Sequence, residues 1–323
     1  MMKYVRPLFR FVTSFVIISL VLYLFRAQLP AVLNHLSQAD LRSFTLAIAI
    51  FMIGLISTSF RLYLVLRVHA AELPVAHLYY MNLIALFFNN ILPSHAGGDM
   101  VKAYYIYRGA RRNVAAFSGV VIDRLFGLVT MVCIGGAAIV IVGRGLVSPK
   151  IVTSLALLTA MIGCLFVVLF NKRIVDTLCR LRPPLVPAAF LDKLRDIYQA
   201  MHFYRGHTTI VAAGLLLTLI GQVTFVFCNY FLACSLSIDI PLSVFFYFVP
   251  FIMIVGLTPT VNGIGAREAV YLYFLTGQTT TDKALALSLF TSFFMVFVGM
   301  IGGVLYAFIG GGPSIKEMMN PET

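Results

Sequence analysis

Long apolar runs, interrupted by short basic stretches and by Pro/Gly breaks, organise this chain. Runs at about 11–25, 44–66, 117–142, 151–170, 209–236 and 284–309 predict six full membrane spans. A hydrocarbon core of about 30 Å takes roughly 20 apolar residues in helical form. The runs are continuous rather than alternating, so helices are expected and barrel strands are not. The first run is short, and Arg10 and Arg26 at its ends are placed to reach the headgroups. Two further apolar runs, 77–92 and 240–257, end in Pro and Gly instead of crossing cleanly.

Those two breaks resemble each other. The first reads Asn89-Asn90-Ile91-Leu92-Pro93-Ser94-His95-Ala96-Gly97-Gly98-Asp99, followed by Lys102. The second reads Leu257-Thr258-Pro259-Thr260-Val261-Asn262-Gly263-Ile264-Gly265-Ala266-Arg267-Glu268. Laying Pro93 on Pro259 places Gly97 on Gly263 and Lys102 on Glu268. Paired interruptions of this kind point to a binding site near the bilayer midplane. Each run with the helix after its glycines predicts a re-entrant helical hairpin. The bland reading is two similar loops at the membrane surface.

Charge orients the layout. Of the 24 Lys and Arg, sixteen fall on one side if the N-terminus is cytoplasmic. Five fall on the other side: Arg26, Arg42, Arg144, Lys150 and Lys283. Arg61, Arg124 and Arg267 lie inside apolar stretches. The bias predicts cytoplasmic termini. It also makes the first hairpin enter from inside and the second from outside, an inverted arrangement. A full crossing by 240–257 would instead put the C-terminus outside.

The chain reads as one integral membrane domain over 1–323, all-α and polytopic. Its longest polar segment, 171–208, is a basic connector. Phe190, Leu191, Leu194, Ile197, Tyr198 and Met201 recur there at helical spacing, which fits an amphipathic helix on the inner leaflet or a connector packed on the bundle. Gly299 and Gly303 stand at GxxxG spacing in the last run, for close helix packing against a helix of this chain by default, or of a second chain. At 60% hydrophobic and 11% charged, the composition leaves no soluble-domain reading. The net charge of +12 follows from topology, and no basic helix with interleaved aromatics suggests nucleic acid. The five cysteines match no zinc or redox spacing, and residues 1–25 lack a signal-peptide cleavage site. No cofactor or metal is expected, and oligomeric state is undetermined by the sequence.

Embedded charges cost at least about 2.5–3.5 kcal/mol each, so they need partners or water. The set is Arg61, Asp99, Lys102, Asp123, Arg124, Arg267 and Glu268. Arg61, near the inner end of its span, is expected to snorkel. Asp123 and Arg124 diverge by about 100° on a helix and cannot pair well with each other. Asp123 is expected to meet Lys102 or Arg267, and Arg124 to meet Asp99 or Glu268. Such pairs serve equally as a structural network or as ligand groups. Gly97, Gly98, Gly263 and Gly265 precede helical stretches whose first N–H groups favour anions. With Lys102, Arg124 or Arg267 nearby they suit a lipid phosphate. Asp99, Asp123 and Glu268 would then be counter-charges or amine ligands, and Asn89, Asn90 and Asn262 neutral hydrogen-bond partners. No nucleotide fingerprint, GxSxG or HExxH occurs, so catalysis has no support.

Three ordered motifs resemble the membrane region of lysylphosphatidylglycerol synthase-type proteins, also called the flippase-like or YbhN-like family. They are Asn90–Asp99 around the Leu-Pro and Gly-Gly-Asp elements, Asp123-Arg124-Leu125 with Gly127, and Asn262-Gly263-Ile264-Gly265-Ala266-Arg267-Glu268. The likeness spans nearly the whole length. Lys102 stands where that family often has Arg, and Asn262 where it often has Gly. The resemblance implies a flippase-like lipid translocase for an anionic or zwitterionic headgroup. It also implies that the soluble aminoacyltransferase domain of two-domain members is missing, so lysyl transfer is not expected. The competing readings are a membrane enzyme on lipid-linked substrates, or a non-transporting partner of a lipid-modifying synthase or glycosyltransferase.

Overall fold

The computed structural model describes residues 39–90, 96–110, 113–142, 202–255, 266–275 and 277–308, with isolated positions between 152 and 199. These residues form helices α1 (Leu41–Arg67), α2 (Val75–Asn89), α3 (Ala96–Ala110), α4 (Asn113–Val142), α5 (Thr208–Ser235), α6 (Leu242–Val255), α7 (Ala266–Leu275) and α8 (Thr281–Phe308). A 3-10 turn, Tyr204–Gly206, precedes α5. Helices α1, α4, α5 and α8 are long and apolar enough to cross a membrane, and α2 and α6 are shorter apolar helices. Four expected spans are therefore present. The expected run at 11–25 lies outside the described residues, and those at 151–170 and 171–208 largely do.

Local chemistry sets the helix ends. Asp40 caps α1 by accepting from the amides of Arg42 and Ser43, and its carboxyl is held below its ordinary value chiefly by the Ser43 hydroxyl and amide. Pro250 sits inside α6, where its ring removes one ladder hydrogen bond. Leu46, Ile53, Ile56 and Phe60 on α1, Leu216 and Ile220 on α5, and Ile301 and Val304 on α8 are exposed. Large apolar side chains facing outward on spans of this length are what lipid solvates.

Helices α2 and α3 run antiparallel as a tight hairpin. Leu73 lies against Gly109, the ring of His77 meets that of Tyr105, and Gly98 N–H donates to Asn89 Oδ1 at 2.8 Å. A side chain at Gly98 would run into Asn89 and the Ala85 carbonyl. Each helix has 15 residues. At about 1.5 Å per residue neither reaches across a core of about 30 Å.

The packing has a repeat that the breaks only hint at. Helix α1 packs on α5, α2 on α8, and α4 on α6. Within the halves, α1 packs on α2 and α4, and α3 on α2 and α4. Likewise α5 packs on α6 and α8, and α7 on α6 and α8. Helix α4 meets α5, and α8 meets α1 through Phe44 and Phe51 against Phe290 and Phe294. Exchanging α1–α4 with α5–α8 maps this pattern onto itself. A shift of 168 positions brings Arg67 onto Ser235 at the ends of α1 and α5, and Asn113 onto Thr281 at the starts of α4 and α8.

The halves are related head to tail. Ser57 Oγ donates to Leu217 O at 2.7 Å, and Gly54 faces Gly221 and Thr224 while Gly221 faces Thr58. The Asp40 amide reaches Ser235 O at 2.8 Å, and Tyr204 Oη reaches Val65 O at 3.0 Å at the other end. Helices α1 and α5 are thus antiparallel. A dyad that exchanges antiparallel helices is perpendicular to them.

Close approach also joins the halves at α2 and α8. Side chains at Gly299, Gly302 or Gly303 would collide with Asn90, with the Leu83 carbonyl and with Phe87. The expected use of the glycine pair within the chain holds, with α2 as the partner.

Candidate functional site

Two polar clusters occupy equivalent places in the halves. In the first, Arg61 on α1 donates from Nη2 to Asp123 Oδ1 on α4, and from Nη1 to Thr218 Oγ1 at 3.1 Å. Lys102 on α3 reaches Asp123 Oδ2 at 3.4 Å. Beside this triad, Arg124 Nε donates to Asp99 Oδ2 at 2.8 Å, and Nη2 lies 2.6 Å from the same oxygen. Three cations and two carboxylates leave one net positive charge in this group.

In the second half Tyr271 on α7 donates from its hydroxyl to Asn229 Oδ1 on α5 at 3.0 Å, and lies 2.9 Å from Thr291 Oγ1 on α8. Arg267 on α7 donates from Nη1 to Ser292 Oγ on α8 at 3.3 Å. Arg61 and Asn229, Asp99 and Arg267, Asp123 and Thr291, and Arg124 and Ser292 are each 168 positions apart. Lys102 and Tyr271 are 169 apart. The same three elements therefore carry a triad in each half, ionised in one and neutral in the other.

This geometry decides between the expected partners. Asp123 meets Lys102, and Arg124 meets Asp99. Arg61 corrects the reading of its sequence position: it does not snorkel, but is buried at 6% exposure against Asp123 and Thr218. Glycine-to-glycine alignment of the breaks, 166 residues apart, matched Lys102 to Glu268. The contacts instead match Lys102 to Tyr271, 169 residues apart and three from the register of the breaks.

The remaining candidates are distributed as follows. Asn90 is buried, and its amide donates to Met295 O on α8 at 3.1 Å, a tie between helices. Gly98 seats α3 against α2, and Gly97 lies in the first turn of α3. Arg267 is buried at 4% exposure, with Glu268 half-buried beside it. Asn262, Gly263 and Gly265 lie outside the described residues. Among the described residues α3 sits on α2 and α4, and α7 on α6 and α8.

Several polar residues in these clusters escaped the sequence reading. They are Asn229, Thr291 and Ser292, together with Gln222, whose amide donates to Gly127 O at 2.8 Å. Asn and Gln in an apolar run were the available signal, since such groups need partners away from water.

The family model of the lysylphosphatidylglycerol synthase TM region matches residues 11–303. The chain belongs to this family. Comparison with curated proteins and with solved structures found no match. The match covers both halves of the repeat, so both polar clusters of this lysylphosphatidylglycerol synthase-type membrane region fall within it. Among the described residues no group of three or more His, Cys, Asp or Glu could hold a metal ion.

Proposed function

We propose that the chain is a lipid translocase of the inner membrane, moving a phospholipid or lipid-linked headgroup between leaflets. The observation that carries this reading is the repeat: two antiparallel halves with polar residues buried at matched positions. Buried polar groups within apolar helices are expensive and mark substrate paths. Inverted repeats in membranes commonly hold the substrate where the halves meet and work by rocking one half against the other.

In this reading α2–α3 and α6–α7 are re-entrant hairpins entering from opposite leaflets. The lengths of α2 and α3 and the antiparallel pairing of α1 with α5 support it. Lys102, Arg124 and Arg267 attract the headgroup phosphate, while Asp99, Asp123 and Glu268 balance the empty site or meet an amine. The glycines at 97, 263 and 265 let the headgroup approach backbone, while Gly98 seats α3 against α2. The acyl chains stay in lipid, beside the exposed apolar faces of α1, α5 and α8. Both termini are cytoplasmic.

The test is redistribution of a fluorescent phosphatidylglycerol across liposomes containing the purified protein. Arg267→Ala and Glu268→Ala should abolish it while the protein remains inserted and folded. Wild-type rates in both variants would overturn the assignment.

A further inference from the structure

The neutral triad of the second half shows what the ions of the first half are not for. Asn229, Tyr271 and Thr291 join α5, α7 and α8 just as Arg61, Lys102 and Asp123 join α1, α3 and α4. In that half the three-way junction of α5, α7 and α8 is therefore made by neutral groups, with Arg267 adding a separate charged tie from α7 to Ser292 on α8. Buried ion pairs are also poor stabilisers, because desolvation offsets most of their attraction. The charges in the first half call for another explanation.

The three ions are not equivalent. Arg61 is the most buried, with its side chain 7% exposed against 15% for Asp123 and 19% for Lys102. Arg61 contacts Asp123 directly and is anchored on its other side by Thr218. Lys102 makes the looser contact, at 3.4 Å, to the other carboxylate oxygen. An ammonium on a flexible four-carbon stem changes partners readily, whereas a guanidinium held at two points does not.

We infer that Arg61 is the standing counter-ion of Asp123, and that it thereby leaves Lys102 as an exchangeable ligand for a phosphate group. When a phosphate arrives, Lys102 swings from Asp123 to the anion. Asp123 keeps Arg61, so no carboxylate is stranded in an apolar setting. Arg61 is a positioning residue that acts through Asp123 and touches no ligand itself. Arg124, the neighbouring cation, is engaged with Asp99. The inference rests on the lipid-headgroup reading and names the cation that makes the exchange.

The arrangement has an unusual genetic signature. Arg61→Asn removes the standing counter-ion, so Asp123 holds Lys102 and phosphate binding weakens. Adding Asp123→Thr releases Lys102, and binding returns. That double variant places at 61 and 123 the residue types that the second half already packs at 229 and 291.

Binding of dihexanoyl-phosphatidylglycerol to the full chain in detergent tests this, with inorganic phosphate as a parallel arm. A charge-assisted hydrogen bond corresponds to about a tenfold change in Kd or more. Lys102→Gln should therefore weaken binding of the lipid about tenfold. Arg61→Asn should weaken it comparably, and Arg61→Asn/Asp123→Thr should bind as wild type does. Binding of the lipid but not of inorganic phosphate assigns the ligand as a headgroup, and equal binding of both assigns a free phosphate. If Arg61→Asn does not fold, the contrast between the double variant and Lys102→Gln carries the same test. Wild-type affinity in Lys102→Gln, or no recovery in the double variant, overturns the inference alone. Failure of the wild-type protein to bind either probe overturns the headgroup reading beneath it.

Discussion

Asp99 and Arg267 occupy the same place in the two halves of the chain and carry opposite charge. Each sits at the start of the helix after its Pro/Gly break, 168 positions apart. Asp99 accepts from Arg124, Arg267 donates to Ser292, and these two partners are themselves 168 positions apart. The repeated scaffold keeps the contact, as an ion pair in one half and as a guanidinium on a hydroxyl in the other. One half thus carries an acid and the other a cation at the equivalent position of the repeat.

The first triad should be far more sensitive to losing one ion than to losing its charges together. Asp123→Ala strands Arg61 between α1 and α4, and breaking a buried pair in this way costs about 3–5 kcal/mol. Arg61→Asn/Asp123→Thr should cost much less. Thermal unfolding in detergent, read side by side for the two variants, checks the order.

In the second half, Tyr271→Phe removes a hydroxyl shared by Asn229 and Thr291. Hydrogen bonds between membrane helices contribute on average about 0.6 kcal/mol, with a maximum of about 1.7. Losing two should lower the denaturation midpoint modestly without unfolding the protein. Collapse of the purified protein would mean that this triad bears more of the fold than its chemistry allows.

Gly302 and Gly136 make opposite predictions for the same substitution. A methyl group at Gly302 meets the Leu83 carbonyl backbone and must push α8 from α2, at a cost of about 1–3 kcal/mol. A methyl group at Gly136 meets nothing within 4 Å and replaces a poor helix former, a gain of about 0.5–1 kcal/mol. Melting temperatures of Gly302→Ala and Gly136→Ala should therefore move in opposite directions.

Orientation can be read from two loops. The C-terminal end of α1 lies beside the start of α5, and the C-terminal end of α5 beside the start of α1. In a cysteine-free background, Glu72→Cys should be labelled by an impermeant maleimide only from the cytoplasmic side. Asp239→Cys should be labelled only from the opposite side. Labelling of both from one side would contradict the crossing of α5.

The spans were legible because bilayer thickness fixes a length that composition alone can meet. The breaks were legible because Pro and Gly are costly in apolar helices and appear twice in one order. What sequence could not show was the angular relation between helices. Arg61 lies six residues before the end of α1, a position equally suited to reaching the headgroups. Only the neighbouring placement of Thr218 and Asp123 turns it inward. The exact register was hidden for a related reason: the breaks align at 166 residues, whereas the helices that carry the contacts align at 168. Asn229 and Thr291 became visible only once that second register exposed them as counterparts of Arg61 and Asp123.

The central claim is that these inverted halves carry a lipid headgroup across the membrane. Its most direct test is the leaflet exchange of a fluorescent phosphatidylglycerol in liposomes that hold the purified chain, against protein-free liposomes of the same lipid. The account predicts exchange that rises with the amount of protein per vesicle. Exchange indistinguishable from the empty liposomes, from a protein shown to be folded and inserted, would contradict it.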